Sequence, residues 1–467
     1  MTSFYLLTDT HYLSKQLWVE GKPFLHRIRE DLIAINHTPE ILDTYIDEII
    51  ADSDTDTVVF LGDNIDNGDM ISHYEFRERL EKLKAAGKKV YMTYATHDYI
   101  GFEDDENNFQ LPRRFTKDTT EQVPHMRRAD LPAFYFDYTQ KNAFSVEEES
   151  GSYCVILSDN VLLIAIIDNG NGRSYCGLSD RGFEWLENEI KAANDRGDYI
   201  LTAVHHPVLP PWIIYEKKAF PNIFGGRDRF AEILCRNNVH VVFTGHTHVQ
   251  SIKKFTDKNG NWFYAVATIA LANVFGKMRR VDIDCESGLC AVTSVQADIT
   301  KSIGKDRQTL YRQNFPGIWE TLLPLAYKDY DEFLRQSEGY IKSEILKKYK
   351  PVIKFACRKL DKMTYYQVAG LAGIRKRLGK DKKAELKHLY IKDAAFEVLR
   401  HLFTGNAPFS PETDEYKIAT ALTKRIDRLN IKKLRSVFAS MTMTEAIQEF
   451  LYNNRTGDDD SISFYLK

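Results

Sequence analysis

Up to about residue 300, short β-rich runs alternate with amphipathic stretches. The runs fall at 4–8, 57–61, 90–95, 153–157, 161–168, 199–204, 239–244, 263–268, 279–284 and 290–296. Between them, 39–52, 70–86, 180–195 and 227–237 carry apolar residues at the spacing of a helix with one buried face. That alternation predicts a layered α/β domain over 1–300. After Lys301 the chain becomes rich in Lys, Leu, Tyr and Ala, with turn signals at Gly304, Pro316, 370–373 and 406–411, and it reads as a mainly helical domain over 301–467. A short apolar stretch at 461–466 reads as a closing strand. No internal repeat is visible.

Composition adds bounds. A chain of 467 residues, 43% of them hydrophobic, holds two or three compact units with real cores. The formal net charge of −3 names no anionic or cationic partner, but 341–400 hold 17 Lys/Arg against 6 Asp/Glu, so one block is strongly basic and the remainder acidic. The longest apolar run, 161–167, is too short to span a bilayer, and no basic-then-apolar leader opens the chain, so a cytoplasmic protein without membrane partners is expected. Cys285 and Cys290 flank Glu-Ser-Gly-Leu in a predicted hairpin and are expected as two free thiols rather than a zinc or disulfide site.

Chemistry concentrates where strands end, the place at which α/β folds open their binding crevice. Five predicted strands run into Asp9-Thr10-His11, Gly62-Asp63-Asn64-Ile65-Asp66, Thr96-His97-Asp98, His205-His206-Pro207 and Gly245-His246-Thr247-His248. On an extended exit, Asp-x-His and His-x-His place alternate side chains on one side, where both reach one cation. Carboxylate oxygen mixed with imidazole nitrogen suits Mn, Fe or Zn better than Mg. One aspartate, Asp63, has the two oxygens needed to bridge a pair of ions. Each motif alone is more often a capped loop than a ligand set; five in series at five strand ends are not a coincidence. Asn64, Asp66 and Asn67 fit either a supporting shell for the ligands or a loop capping the next helix.

The order Asp-x-His, Gly-Asp-x-x-Asp, His-Asp, His-His-Pro, Gly-His-x-His resembles the calcineurin-like metallophosphoesterase superfamily over residues 1 to about 300. With 177–187 (Gly-Leu-Ser-Asp-Arg-Gly-Phe-Glu-Trp-Leu-Glu) and His205-His206-Pro207, it is similar to the bacterial branch containing class III cyclic-nucleotide phosphodiesterases. The resemblance implies a four-layer α/β/β/α sandwich and two bound metal ions. It implies that Asp9, His11, Asp63 and His248 hold the first ion and Asp63, His205 and His246 the second. It also implies that His97 is an acid toward the leaving group, with Asp98 orienting it, and that His206 is structural. The reaction implied is hydrolysis of a small phosphodiester, a cyclic nucleotide being the first guess, by a hydroxide bridging the ions. Where the family carries Gly-Asn-His-Asp, this chain reads Ala95-Thr96-His97-Asp98. Thr96 binds the second ion through its hydroxyl, leaves the place to water, or weakens the site; a weakened, exchangeable second ion is the working expectation.

The basic block 341–400 reads as a solvated helical face, because acidic residues are interspersed and apolar residues continue at helical spacing. A nucleic-acid groove is the less favoured alternative. In the related phosphodiesterases a helical C-terminal extension borders the site and mediates dimer contacts, which is the only pointer to a homodimer here. Competing functions are a nuclease or phosphomonoesterase on the same fold, or a catalytically weakened binding protein.

Overall fold

The computed structural model describes residues 1–30, 33–99, 112–158, 160–168, 176–211, 223–314, 323–336, 343–406, 409–428, 441–452 and 458–467. Its strands in chain order are β1 (Thr2–Leu7), β2 (Thr57–Leu61), β3 (Lys89–Thr93), β4 (Arg113–Phe115), β5 (Thr120–Gln122), β6 (Ser145–Val146), β7 (Tyr153–Ser158), β8 (Val161–Ile166), β9 (Tyr199–Val204), β10 (Val241–Thr244), β11 (Ser251–Thr256), β12 (Trp262–Ala267), β13 (Met278–Ile283), β14 (Leu289–Val295) and β15 (Ile462–Tyr465). One sheet runs β15-β14-β13-β1-β2-β3 and a second runs β11-β12-β10-β9-β8-β7-β6. The strands β1, β2 and β3 are mutually parallel, as are β8, β9, β10 and β12. All five motif-bearing strands therefore leave their sheets at a carboxyl edge.

Side-chain alternation assembles the layers. Phe4 and Leu6 of β1 and Val59 and Leu61 of β2 share one buried cluster with Leu163, Leu201, Phe243 and Val266 of the other sheet. The alternate residues of β8, Leu162, Ile164 and Ile166, pack instead against Leu186, Ile190, Phe230 and Leu234 of helices Asp180–Arg196 and Arg227–Arg236. On the far side of the first sheet, Phe60 meets Phe76 of helix Met70–Ala85 edge-on at 5.4 Å, and helix Thr38–Ala51 buries Ile41, Leu42, Tyr45, Ile46 and Ile49. Strands buried on both faces read as continuous apolar runs, which is why 58–61 and 161–166 stand out in the sequence. The result is the expected four-layer sandwich.

Every strand expected up to residue 300 is present, with ends shifted by a few residues. Several elements were not anticipated. The edge strand β11 carries Lys253 and Lys254 and lacks an apolar alternation, as edge strands tend to. Helix Lys22–Glu30 is short and mostly polar. The hairpin cysteines are both free thiols, as expected: Cys290 lies in the inter-sheet core, and Cys285, packed against that core, has its Sγ 3.2 Å from Thr2 Oγ1.

The chain divides into two compact units, Met1–Leu310 with Arg455–Lys467, and Tyr311–Asn454. The closing strand belongs to the first, where β15 extends the sheet antiparallel to β14. The second unit is helical in its described residues, with small cores such as Tyr365, Val368, Leu386 and Ile418. Its basic side chains are partly paired within it: Lys382 with Glu385 and Glu415, Lys392 with Asp361, and Arg375 and Lys387 over the Tyr366 ring. No helix among the described residues is long and apolar enough to cross a membrane.

Candidate metal centre

The backbone turns sharply at the ends of these strands. Among the described residues, seven that are not glycine have positive φ, and five of them are Asp9 (51°), His11 (40°), Asp63 (49°), His246 (66°) and His248 (57°). Left-handed backbone is costly for side-chain-bearing residues and persists where surrounding contacts over-determine it, typically at functional sites. The side chains of Asp-x-His and His-x-His thus converge through consecutive tight turns and not through an extended exit, which corrects the sequence-based account of how they meet. Two glycines make room. A Cβ on Gly62 (φ 75°) would lie 2.7 Å from His205 Nδ1, and one on Gly245 would lie 2.1 Å from Thr8 Oγ1 and 2.6 Å from Asp9 Oδ2.

These turns gather Asp9, His11 and His248 into one group and Asp63, His205 and His246 into another, each with its ligand-type atoms within 4.8 Å of one another. In the first, His11 Nε2 lies 3.0 Å from His248 Nε2, and Asp9 Oδ1 lies 3.8 Å from the former and 3.4 Å from the latter. In the second, His205 Nε2 is 2.9 Å from Asp63 Oδ2, and it is also 3.8 Å from Asp9 Oδ1. Two donors each about 2.1 Å from one ion at tetrahedral or octahedral angles sit about 3.0–3.4 Å apart, so the His11–His248, Asp9–His248 and Asp63–His205 edges have the size of a coordination polyhedron and the two 3.8 Å edges are wider. Buried His11 Nδ1, His205 Nε2 and His246 Nδ1 have no well-formed hydrogen bond. Burial and the neighbouring histidines hold His11 and His246 well below the usual imidazole range, keeping them neutral. Burial opposes ionising Asp63, but His205, His97 and His11 outweigh it and keep the carboxyl charged. His205 is disfavoured as a cation by burial, yet Asp63 and Asp9 pull it up to about 9. Two neutral imidazoles, His11 and His246, and an ionised Asp63 whose charge now draws a proton onto His205 are a donor set that fits a cation, which would take that proton's place.

The remaining expected residues border this set. His97 donates from Nδ1 to the Asp66 carbonyl oxygen (2.5 Å), its amide donates to Asp63 Oδ1 (2.9 Å), and its ring stands edge-on to His11 at 4.7 Å. Asp98 does not orient it. The Asp98 carboxylate instead accepts the amides of Asn64 (2.8 Å), Ile65 (3.0 Å) and Ala95 (2.8 Å), tying the loop after β2 to the loop after β3. Burial, then the Asp63 charge, raises its carboxyl to about 7. Thr96 places Oγ1 3.4 Å from Asp63 Oδ1. His206 is held by Asp168 Oδ2, which binds both its amide and its Nδ1 at 2.8 Å, and its ring packs 4.1 Å from that of His246. Asn273 caps its own turn by accepting the Phe275 amide at Oδ1 (2.8 Å).

Some neighbours carried no signal in the sequence. Arg27, on helix Lys22–Glu30, donates to the fully buried Asp66 carboxylate (2.5 Å), beside the His11–Asp66–His97 cluster. A lone arginine on a polar helix matches no pattern. Asp66, left between support and capping, supports through its carbonyl, while the cap of helix Met70–Ala85 is Asp69.

A family model described as calcineurin-like phosphoesterase matches residues 2–250, more than half of the chain and all five motifs. The chain belongs to that family. This phosphoesterase is 26% identical over 245 residues to a probable glycerophosphodiester phosphodiesterase, GpdQ, of Arcobacter nitrofigilis, covering 52% of this chain and 70% of the relative. Among solved structures, it is similar to a dimetal phosphatase from Danio rerio (13% identity, TM-score 0.45, 63% of this chain and 95% of that one). It is also similar to a purple acid phosphatase from yellow lupin (12% identity, TM-score 0.40, 65% and 52%). As a calcineurin-like phosphoesterase, the chain is a hydrolase of phosphate esters.

Proposed function

We propose that the protein is a dinuclear metal-dependent phosphodiesterase acting on a small phosphodiester. The observation that carries this is the pair of carboxylate–histidine groups meeting at the carboxyl edges of two sheets, with His97 beside them. Asp9, His11 and His248 would hold one ion, Asp63, His205 and His246 the other, with Asp63 as the carboxylate shared between them. Thr96, whose Oγ1 lies 3.4 Å from Asp63 Oδ1, would border the second ion. The mixed oxygen and nitrogen donors suit Mn, Fe or Zn. Bound ions of this kind supply Lewis acidity, lowering the pKa of water and neutralising charge on phosphoryl oxygens.

The chain's own residues do the rest. With Nδ1 committed to the Asp66 carbonyl, His97 carries a transferable proton only at Nε2, as the imidazolium, and delivers it to the departing alkoxide. Asp98 fixes the two loops that set the spacing between Asp63 and His97. Arg27 and Asp66 hold the carbonyl that sets the ring's tautomer.

The substrate is a glycerophosphodiester or a cyclic nucleotide: the relative named as a probable glycerophosphodiester phosphodiesterase supports the first, and the 177–187 motif similarity supports the second. Turnover of bis-p-nitrophenyl phosphate, p-nitrophenyl phosphate, cyclic AMP, glycerophosphocholine and single-stranded DNA with added Mn²⁺ tests the reading. Diester rates well above the monoester rate are expected. Preference for the monoester or for DNA would replace it with a phosphomonoesterase or nuclease, and no turnover at all with a binding protein.

A further inference from the structure

Behind the His246–His248 loop, three parts of the chain meet at one side chain. Gln250, two residues past His248 and fully buried, donates from Nε2 to Ser294 Oγ of β14 (2.7 Å) and to Asp460 Oδ1 (3.0 Å), and its Oε1 accepts the Ile269 amide (3.0 Å). Ile269 begins the segment whose Leu271 and Ala272 amides donate to the carbonyls of Thr8 (2.9 Å) and Asp9 (3.2 Å). One amide side chain thus joins the loop of His246 and His248 to the loop of Asp9 and His11.

What holds Gln250 comes from a distant part of the sequence. Asp460 Oδ1 also accepts Lys277 Nζ (2.6 Å), and its carbonyl accepts Ser294 Oγ (2.8 Å). The buried Arg279 guanidinium donates from Nη1 to the carbonyls of Asp459 (2.9 Å) and Asp460 (3.2 Å) and from Nη2 to that of Ala267 (2.9 Å). Asp459 Oδ1 accepts the Ile252 amide (3.1 Å) at the start of β11. A desolvated guanidinium aimed at three main-chain carbonyls is a rigid anchor, since it is costly unless those partners stay in place.

We propose that Asp460, acting through Gln250, is a positioning residue of the metal centre, setting the register between the Asp9–His11 and His246–His248 turns. The inference rests on the dinuclear reading above. Both turns are held in left-handed backbone, which persists only when contacts over-determine it, and ligand edges of 3.0–3.8 Å leave little tolerance for slippage between loops. Outer contacts that orient metal ligands typically change metal affinity by about 10–100-fold when removed.

The test uses the full chain and Mn²⁺ alone, with free Mn²⁺ counted by electron paramagnetic resonance and folding followed by thermal midpoint. Asp460→Ala and Gln250→Met are expected to weaken Mn²⁺ binding by about 10–100-fold, and Asp460→Asn, which keeps an acceptor oxygen, to recover most of it. Phe464→Ala removes a core contact of β15 without touching Gln250; it is expected to lower the midpoint while binding stays within about 2-fold of wild type. Unchanged binding in Gln250→Met and Asp460→Ala, or equal weakening by Phe464→Ala, overturns the positioning role. A wild-type chain that binds no Mn²⁺ overturns the dinuclear reading as well, so the two failures are distinguishable.

Discussion

His97 and Asp66 are joined by one short hydrogen bond, from the imidazole Nδ1 to the main-chain carbonyl at 2.5 Å. A carbonyl only accepts, so the bond fixes a proton on Nδ1 and leaves Nε2 for the acid role. His97→Ala is therefore expected to lower kcat by about 10²–10⁴-fold on diesters with poor alkoxide leaving groups, and far less on p-nitrophenyl esters, whose leaving group needs no proton. Its bound metal should be unchanged. Equal losses on both substrate types, or metal loss, would contradict the acid role.

Thr96 lies beside Asp63, at 3.4 Å between Oγ1 and Oδ1, where the family motif carries an asparagine. A threonine hydroxyl is a shorter and poorer neutral donor than an amide oxygen. The expected behaviour of wild type is one tightly held Mn²⁺ and a second that exchanges under mild chelation. Thr96→Asn should tighten the second by about 10-fold or more. Equilibrium dialysis of both proteins against a graded chelator checks this, and two tight equivalents in wild type would rule it out.

The candidate ligand residues stood out in the sequence because each follows an apolar run, such as 58–61, that is buried on both faces. The way they converge did not. Nothing in Asp-Thr-His distinguishes an extended exit from two left-handed turns, since φ at Asp9 and His11 depends on tertiary contacts. For Asp98 the resemblance implied an orienter of His97, whereas the buried carboxylate accepts three backbone amides, a set of partners that depends on how the loops fold. Gln250 and Asp460, 210 positions apart, left no local trace at all.

His73, in the buried face of helix Met70–Ala85, accepts from Tyr135 Oη at Nδ1 (2.7 Å) and donates from Nε2 to the Asp98 carbonyl (2.8 Å). The Tyr135 bond needs the neutral ring, and burial, outweighing the Asp98 carbonyl that favours the charged form, lowers its pKa to about 4. Below the unfolded value near 6.5 the unfolded chain binds more protons than the folded one, so stability falls as pH drops from about 6.5 to 4. The shift corresponds to about 3 kcal/mol at most. Urea unfolding of the unit that carries His73, between pH 4.5 and 7.5, should show this slope. His73→Gln should be less stable at pH 7 but flatter with pH, and parallel curves would remove His73 as the cause.

Gly245 separates strain at the metal centre from strain in general. A methyl group there would lie 2.1 Å from Thr8 Oγ1 and 2.6 Å from Asp9 Oδ2. Thr8 cannot rotate away cheaply, because its hydroxyl is engaged with Leu61 O (2.9 Å) and Asp9 Oδ2 (2.7 Å), so the displacement falls on Asp9. Gly260 is the comparison: its φ of 89° penalises any side chain, but a Cβ there meets nothing within 4 Å. Gly245→Ala and Gly260→Ala are each expected to cost about 1–3 kcal/mol of stability, the first by overpacking and the second by backbone strain. Only Gly245→Ala should also release metal, dropping turnover by about 10²-fold or more, because only there does the strain reach a ligand. Metal content and diesterase rate of the two purified variants, compared at matched folded fraction, decide it: equal retention in both would mean that the loop at Asp9 absorbs the methyl group without moving the carboxylate.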